Sequence, residues 1–339
     1  MNETNPPREL LFGDAWTYDA APESTDHASW SPTYGHFIDG KFEEGEGHVA
    51  TINPATEETL AEVAVADEAT VDRAVRAARS AYEKTWRDMP GAERGKYIYR
   101  IARLMQEKAR ELAVIETMDG GKPIKESRDV DIPLAAAHFF HYAGWADKLR
   151  YAAPGARSVE PVGVCGQVIP WNFPLLMAAW KIAPALAGGN TVVLKPAETT
   201  PLTAMKLAEI IQEADLPPGV VNIVNGAGAT GGAIVNHGDV DKVAFTGSTG
   251  VGKLIQRSIA GSGKRLTLEL GGKGANIIFE DAPLDAAIEG VGEVASPRYS
   301  SPTTTPSTTP STGASSAPSP GVGGRSASPI QSTEASSST

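Results

Sequence analysis

The sequence predicts an α/β chain built on a five-stranded parallel sheet with helices on both faces. Short β-branched runs alternate with stretches of helical period from about residue 160 to 272. Two glycine-rich loops each lie between a strand and a helix, as crossover units require. Apolar residues make up 41% of the 339 residues, enough to bury a substantial core.

The first 33 residues are polar with scattered aromatics and no period, and they read as an extended arm. From Thr70 the period becomes helical. Val71, Ala74, Val75, Ala78 and Tyr82 share one face, while Ile98, Ile101, Met105 and Leu112 line a second helix. A third helix is expected over Val130 to Lys148. The predicted strands are VGVCGQVIP, NTVVLKPA, GVVNIVNG, DKVAFTG and KRLTLELGG. Thr200 before Pro201 reads as a helix start, because proline lacks only an N–H that would be unpaired there. DAPLDAAIEGV begins like another helix, but residues 291–339 are nearly pure Ser, Thr, Pro, Gly and Ala. Such a segment buries too little apolar surface to offset its ordering entropy, so it is expected to be disordered. The organisation is therefore an arm (1–33), an α/β region (34–290) and a tail (291–339).

A formal charge of −11 without a long basic run argues against nucleic acid, and no apolar stretch reaches the length of a membrane span. The N-terminus has no basic segment followed by an apolar run, which points to a cytoplasmic protein. The single cysteine, Cys165, excludes an internal disulfide and a cysteine-rich zinc site. His138 and His141 fall three apart on a helix with no further ligand in spacing, so no metal site is assigned and a surface or packing role is expected.

GAGATG, Gly226 to Gly231, fits the G-x-G-x-x-G fingerprint of a dinucleotide site, yet the following strand closes on Thr246 and Gly247 instead of the acid that would hold ribose. GSTGVGK, Gly247 to Lys253, nearly spells a P-loop, but Leu254 stands where Ser or Thr would hold Mg²⁺. An NTPase and simple tight packing both stay open as readings of these loops.

Taken together, PWNFP (Pro170 to Pro174), LKPAE (Leu194 to Glu198), FTGST (Phe245 to Thr249) and LELGGK (Leu268 to Lys273) resemble the aldehyde dehydrogenase superfamily in order and spacing. The resemblance runs from about Gly35 to about Gly290. It implies the Rossmann-like, cofactor-binding part of that fold and NAD-dependent oxidation of an aldehyde to a carboxylic acid. Such chemistry needs a thiolate nucleophile, oxyanion donors, a hydride acceptor and a base. By resemblance Asn172 supplies the oxyanion donor, Glu269 the general base and Lys181 a group in proton transfer. Partial burial would raise the pKa of Glu269 toward the working pH.

The resemblance places the cofactor against Ile169, Pro170, Trp171 and Asn172, then Lys195, Pro196, Ala197 and Glu198, then Gly228 and Gly232. Phe245, Thr246, Gly247, Ser248, Leu270 and Gly271 complete the set. A carboxylate at Glu198 would accept both ribose hydroxyls and repel a 2′-phosphate, favouring NAD over NADP. Ser248 and the following amides would take the pyrophosphate as a helix N-terminus does.

The sequence departs from the family before the nucleophile. The expected distance beyond Glu269 lands in SSPTTTP, and Cys165 lies on a predicted strand where a packed side chain with a raised pKa is expected. The family's second glutamate contact to the nicotinamide ribose and its closing oligomerisation strand do not appear, and Leu149 to Val159 is shorter than the oligomerisation strand usual there. The family assembles as homo-oligomers; this chain is expected to bind nucleotide without turnover, and to be poorly soluble or to assemble with an intact paralogue. A frameshift or incomplete gene would produce this pattern, and a fusion that makes the chain a nucleotide-binding or interaction module is the alternative.

Overall fold

The computed structural model describes residues 24–152, 155, 159–272, 277–279, 281–283 and 285–288. The chain divides into two units, Met1–Ser301 and Pro302–Thr339. The second unit, residues 1–23 and residues 289–301 lie outside the described residues, and with them most of the expected arm (1–33) and the expected disordered tail.

Five short strands come first: β1 Thr33–Tyr34, β2 His36–Ile38, β3 Lys41–Glu43, β4 His48–Ile52 and β5 Thr59–Ala64. Residues 24–32 rest on the body, with the Trp30 indole donating to Leu60 O at 2.8 Å and Ser29 Oγ donating to Glu111 at 2.8 Å. The helical layer follows as α1 Glu68–Ala81, α2 Gly91–Glu107, α3 Ala109–Gly120, α4 Ile124–Glu126, α5 Ile132–Trp145 and α6 Leu149–Ala152. Asp67 caps α1 by accepting from Thr70 N, and the four apolar positions predicted inside that helix are fully buried. The expected second helix is two: the chain breaks at Lys108, so Leu112 lies on α3 and not beside Met105. A π-helical turn, Ser127–Asp131, runs into α5.

The crossover units are β6 Val164–Val168, α7 Pro174–Ala187, β7 Thr191–Lys195, α8 Leu202–Glu213, β8 Val221–Ile223, α9 Gly228–Asn236, β9 Lys242–Gly247, α10 Thr249–Ser258 and β10 Arg265–Leu270. All five predicted strands form, parallel, in the order β10-β9-β6-β7-β8. The antiparallel pair β2 and β3 extends the same sheet beyond β8, and β1, β5 and β4 make a separate three-stranded sheet.

The two-residue period of a strand divides the core in two. In β7, Val192 and Leu194 join the cluster under α2, α3, α5, α7 and α8, while Val193 joins the one under α1, α9 and α10. The expected cap at Thr200 does not form. Its hydroxyl finds no hydrogen-bond partner among the described residues, and Asp119, at the end of α3, accepts from Leu202 N at 2.8 Å and opens α8 instead.

Candidate active site and cofactor face

The predicted site residues follow the carboxyl ends of the parallel strands, where ligands bind on such sheets. Ile169, Pro170, Trp171 and Asn172 leave β6, and Pro196, Ala197 and Glu198 follow Lys195 out of β7. Phe245, Thr246 and Gly247 close β9, Ser248 stands before α10, and Glu269, Leu270 and Gly271 close β10. Gly228 opens α9, with Gly232 one turn later. The strand period then sorts these residues between the two faces.

On the α7 face, Lys181 Nζ donates to Thr246 Oγ1 at 2.6 Å. Glu269 is the register partner of Thr246 on the adjacent strand, so its side chain emerges on the same face. Lys181 is 8% exposed, and burial brings its pKa down to about 8, an effect that the nearby Glu269 carboxylate partly offsets and Lys242 reinforces. Gln167, buried in β6, donates to Lys181 O at 2.9 Å and seats α7 on the sheet. Glu269 itself is exposed, not partly buried as expected. The reason is topological: β10 is the last strand of the sheet, and among the described residues nothing is laid over that side of it. Asn172 is half-buried on the loop between β6 and α7.

On the opposite face, Lys195 is buried, with Nζ donating to Pro196 O at 2.6 Å and reaching Glu198 at 3.4 Å. Burial lowers its pKa, and Glu198 partly restores it. Its stem crosses α9 at Gly231, where an added Cβ would meet Lys195 Cδ at 3.5 Å. Glu198 has a side chain 55% exposed, free to accept from a ligand. The first turn of α9 has no side-chain cap, which leaves its leading amides as donors.

Ser248 caps its own helix, accepting from Val251 N at 3.3 Å. Beside it, Thr249 Oγ1 donates to Gly271 O at 3.1 Å, tying the start of α10 to the end of β10. The ring of Phe245 and the side chain of Ile169 fill the two cores beneath the edge. Leu254 is exposed on α10 and offers no Mg²⁺ ligand, so the GSTGVGK loop lacks what an NTPase requires.

Sequence reasoning singled out Lys181 and Thr246 separately but missed that they bond to each other. Gln167 was missed too; a glutamine at an inward position of an otherwise apolar strand was the available signal.

These paired faces sit within residues 42–296, which match the aldehyde dehydrogenase family profile. The chain belongs to the aldehyde dehydrogenase family. It is 52% identical over 265 residues to the putative aldehyde dehydrogenase DhaS of Bacillus subtilis, covering 75% of this chain and 54% of that protein. It is 51% identical over 266 residues to human retinal dehydrogenase 2, covering 75% of this chain and 51% of that one. Among solved structures, the NAD+ complex of an aldehyde dehydrogenase from Bacillus cereus superposes with a TM-score of 0.72 at 48% identity, covering 76% of this chain and 55% of its own. The chain thus spans about half the length of these aldehyde dehydrogenases.

The single cysteine of this family member, Cys165, is 3% exposed in β6, and burial pushes its thiol up to about 11. A thiol so placed is inert packing, as the sequence implied. No helix among the described residues is long and apolar enough to cross a membrane.

Proposed function

We propose that this chain binds NAD across the carboxyl edge of its parallel sheet, as the cofactor-holding half of an enzyme that oxidises aldehydes to acids, and that these 339 residues do not themselves turn over aldehyde. The observation that carries the reading is the division of the edge. Lys195, Glu198 and two helix N-termini share one face, and Lys181, Thr246 and Glu269 share the other. A dinucleotide laid over the edge would have its adenosine ribose at Glu198 and its pyrophosphate at the start of α10.

The residues present fit that group. Glu198 presents an exposed carboxylate to ribose hydroxyls, and the Lys195 ammonium is already held by Pro196 O and Glu198, which disfavours a 2′-phosphate. The relative from Bacillus cereus, solved as an NAD+ complex, supports the assignment. When bound, NAD supplies the hydride acceptor. Asn172 offers an amide N–H to a carbonyl oxygen, Glu269 a carboxylate able to take a proton from water, and Lys181 an ammonium poised to exchange one near neutral pH. The buried Cys165 supplies no thiolate, which is why turnover is not expected. Its free thiol is consistent with a reducing, cytoplasmic setting.

The test is titration with NAD and NADP by calorimetry, with NADH formation from a simple aliphatic aldehyde followed in parallel. NAD should bind saturably, at least about tenfold more tightly than NADP, equivalent to about 1.4 kcal/mol, with no NADH formed. A folded chain that ignores NAD overturns the binding half of the reading, and sustained NADH production overturns the other half.

A further inference from the structure

Outside the site, Lys122 is buried together with two fully buried carboxylates. Lys122 follows the end of α3, where Gly121 takes a left-handed turn at φ +70°. Its ammonium donates to Asp131 Oδ2 at 2.6 Å and to Glu116 Oε1 at 3.3 Å. All three side chains are 5% exposed or less. The second oxygens, Glu116 Oε2 and Asp131 Oδ1, find no hydrogen-bond partner among the described residues, so Lys122 is the one cation that pairs with both acids, while the Thr203 hydroxyl also faces Glu116. Asp131 is aimed inward by the π-helical turn Ser127–Asp131, itself pinned by Thr117 Oγ1 donating to Ser127 Oγ at 2.9 Å. Single π turns inside helices occur frequently at functional sites.

A buried ion cluster is a poor source of stability, since hiding its charges offsets most of their attraction, and its commoner use is to fix one geometry. What this cluster fixes is visible on the ammonium's open side. Lys122 Nζ lies 5.0 Å from the centroid of the Phe173 ring, a cation over an aromatic face. Phe173 directly follows Asn172 and directly precedes the first residue of α7. Its ring is therefore held on the α3 side while its backbone enters the helix.

We propose that Lys122 is a positioning residue: clamped by Asp131 and Glu116, it grips the Phe173 ring and thereby sets the direction of the Asn172 amide. This rests on the reading of Asn172 as the donor to a carbonyl oxygen.

The test uses the full 339-residue chain and the side-chain amide NMR signals of Asn172, identified as the pair lost in Asn172→Ala. In the triple variant Lys122→Met, Glu116→Gln, Asp131→Asn, no charge of this cluster is left buried and the chain should melt cooperatively, but the Asn172 pair should lose its sharp position. Phe173→Leu, which leaves the ion cluster whole, should move the same signals, and Phe173→Tyr, which keeps the ring, should restore them. NAD affinity, set by Lys195 and Glu198 on the far face, should change less than about twofold, or about 0.4 kcal/mol.

Unmoved Asn172 signals in a folded triple variant, or in Phe173→Leu if the triple variant does not fold, would overturn the proposal. Failure of the parent chain to bind NAD would count against the proposed function alone, because the Asn172 signals are read without cofactor.

Discussion

Replacing Lys181 with Met should make the fold more stable at neutral pH, although it removes a site cation. In the folded chain the Lys181 ammonium has a pKa of about 8, against an ordinary 10.5, because it is buried. Below about pH 8 the group is charged in both states, and the folded state bears the whole cost of hiding that charge. At roughly 1.4 kcal/mol per pH unit the cost is about 3 kcal/mol.

The sign follows from proton binding. Between the folded and unfolded values the unfolded chain holds more protons, so stability rises with pH across that window and the cost is gone above it. Methionine has similar length and no charge, but it loses the hydrogen bond to Thr246, worth about 1 kcal/mol. The Lys181→Met chain should therefore gain about 2 kcal/mol at about pH 7, and the gain should vanish or reverse by about pH 10. Urea unfolding of parent and variant at several pH values across that range measures both. If the stability difference between the two is independent of pH, the lysine is not carrying a buried charge and the reasoning fails.

Glu198→Gln should weaken NAD binding about tenfold, roughly 1.4 kcal/mol, by replacing a charged acceptor of ribose hydroxyls with a neutral one, and should narrow the preference over NADP; calorimetry reads both. Gly166→Ala should cost about 1–3 kcal/mol in a denaturant titration, because the new Cβ would lie 2.6 Å from Ile234 Cγ2, a β-branched side chain packed in the core. Cys165 should resist an alkylating reagent near pH 8 in the folded chain and react once urea is added, by mass spectrometry; rapid labelling without urea would mean that β6 opens.

Much of the sheet was legible because parallel strands buried on both faces need near-continuous apolar runs, and TVVL and VAF are such runs. The short strands β1 to β3 were not, since two or three residues carry no period. They exist through pairings such as Phe37 with Ile223, nearly two hundred residues apart in sequence. The break at Lys108 was hidden for a related reason: QEKARELA contains neither Gly nor Pro, and the turn is set by packing.

For the site, motif positions located the strand ends, and the strand period implied which face each side chain takes. What the motifs could not supply was the distance between elements. The Lys181–Thr246 bond depends on how α7 lies over β9, and the exposure of Glu269 on β10 being the last strand of its sheet. The Lys122 clamp escaped sequence reading entirely, since its members sit in α3, a π turn and the loop before α7.

The place of β6 in the sheet has a kinetic consequence. It is the first of the five parallel strands to be synthesised and the one that ends in the middle, with β7 on one side and β9 on the other. During translation β7 arrives early, but β9 emerges only after α8, β8 and α9, so one flank of β6 waits with its amides and carbonyls unpaired. Non-local pairing of this kind belongs to the slow class of folding topologies, and a waiting strand edge is a template for the wrong neighbour. The nascent chain is most exposed to aggregation while residues between Val168 and Lys242 are being made.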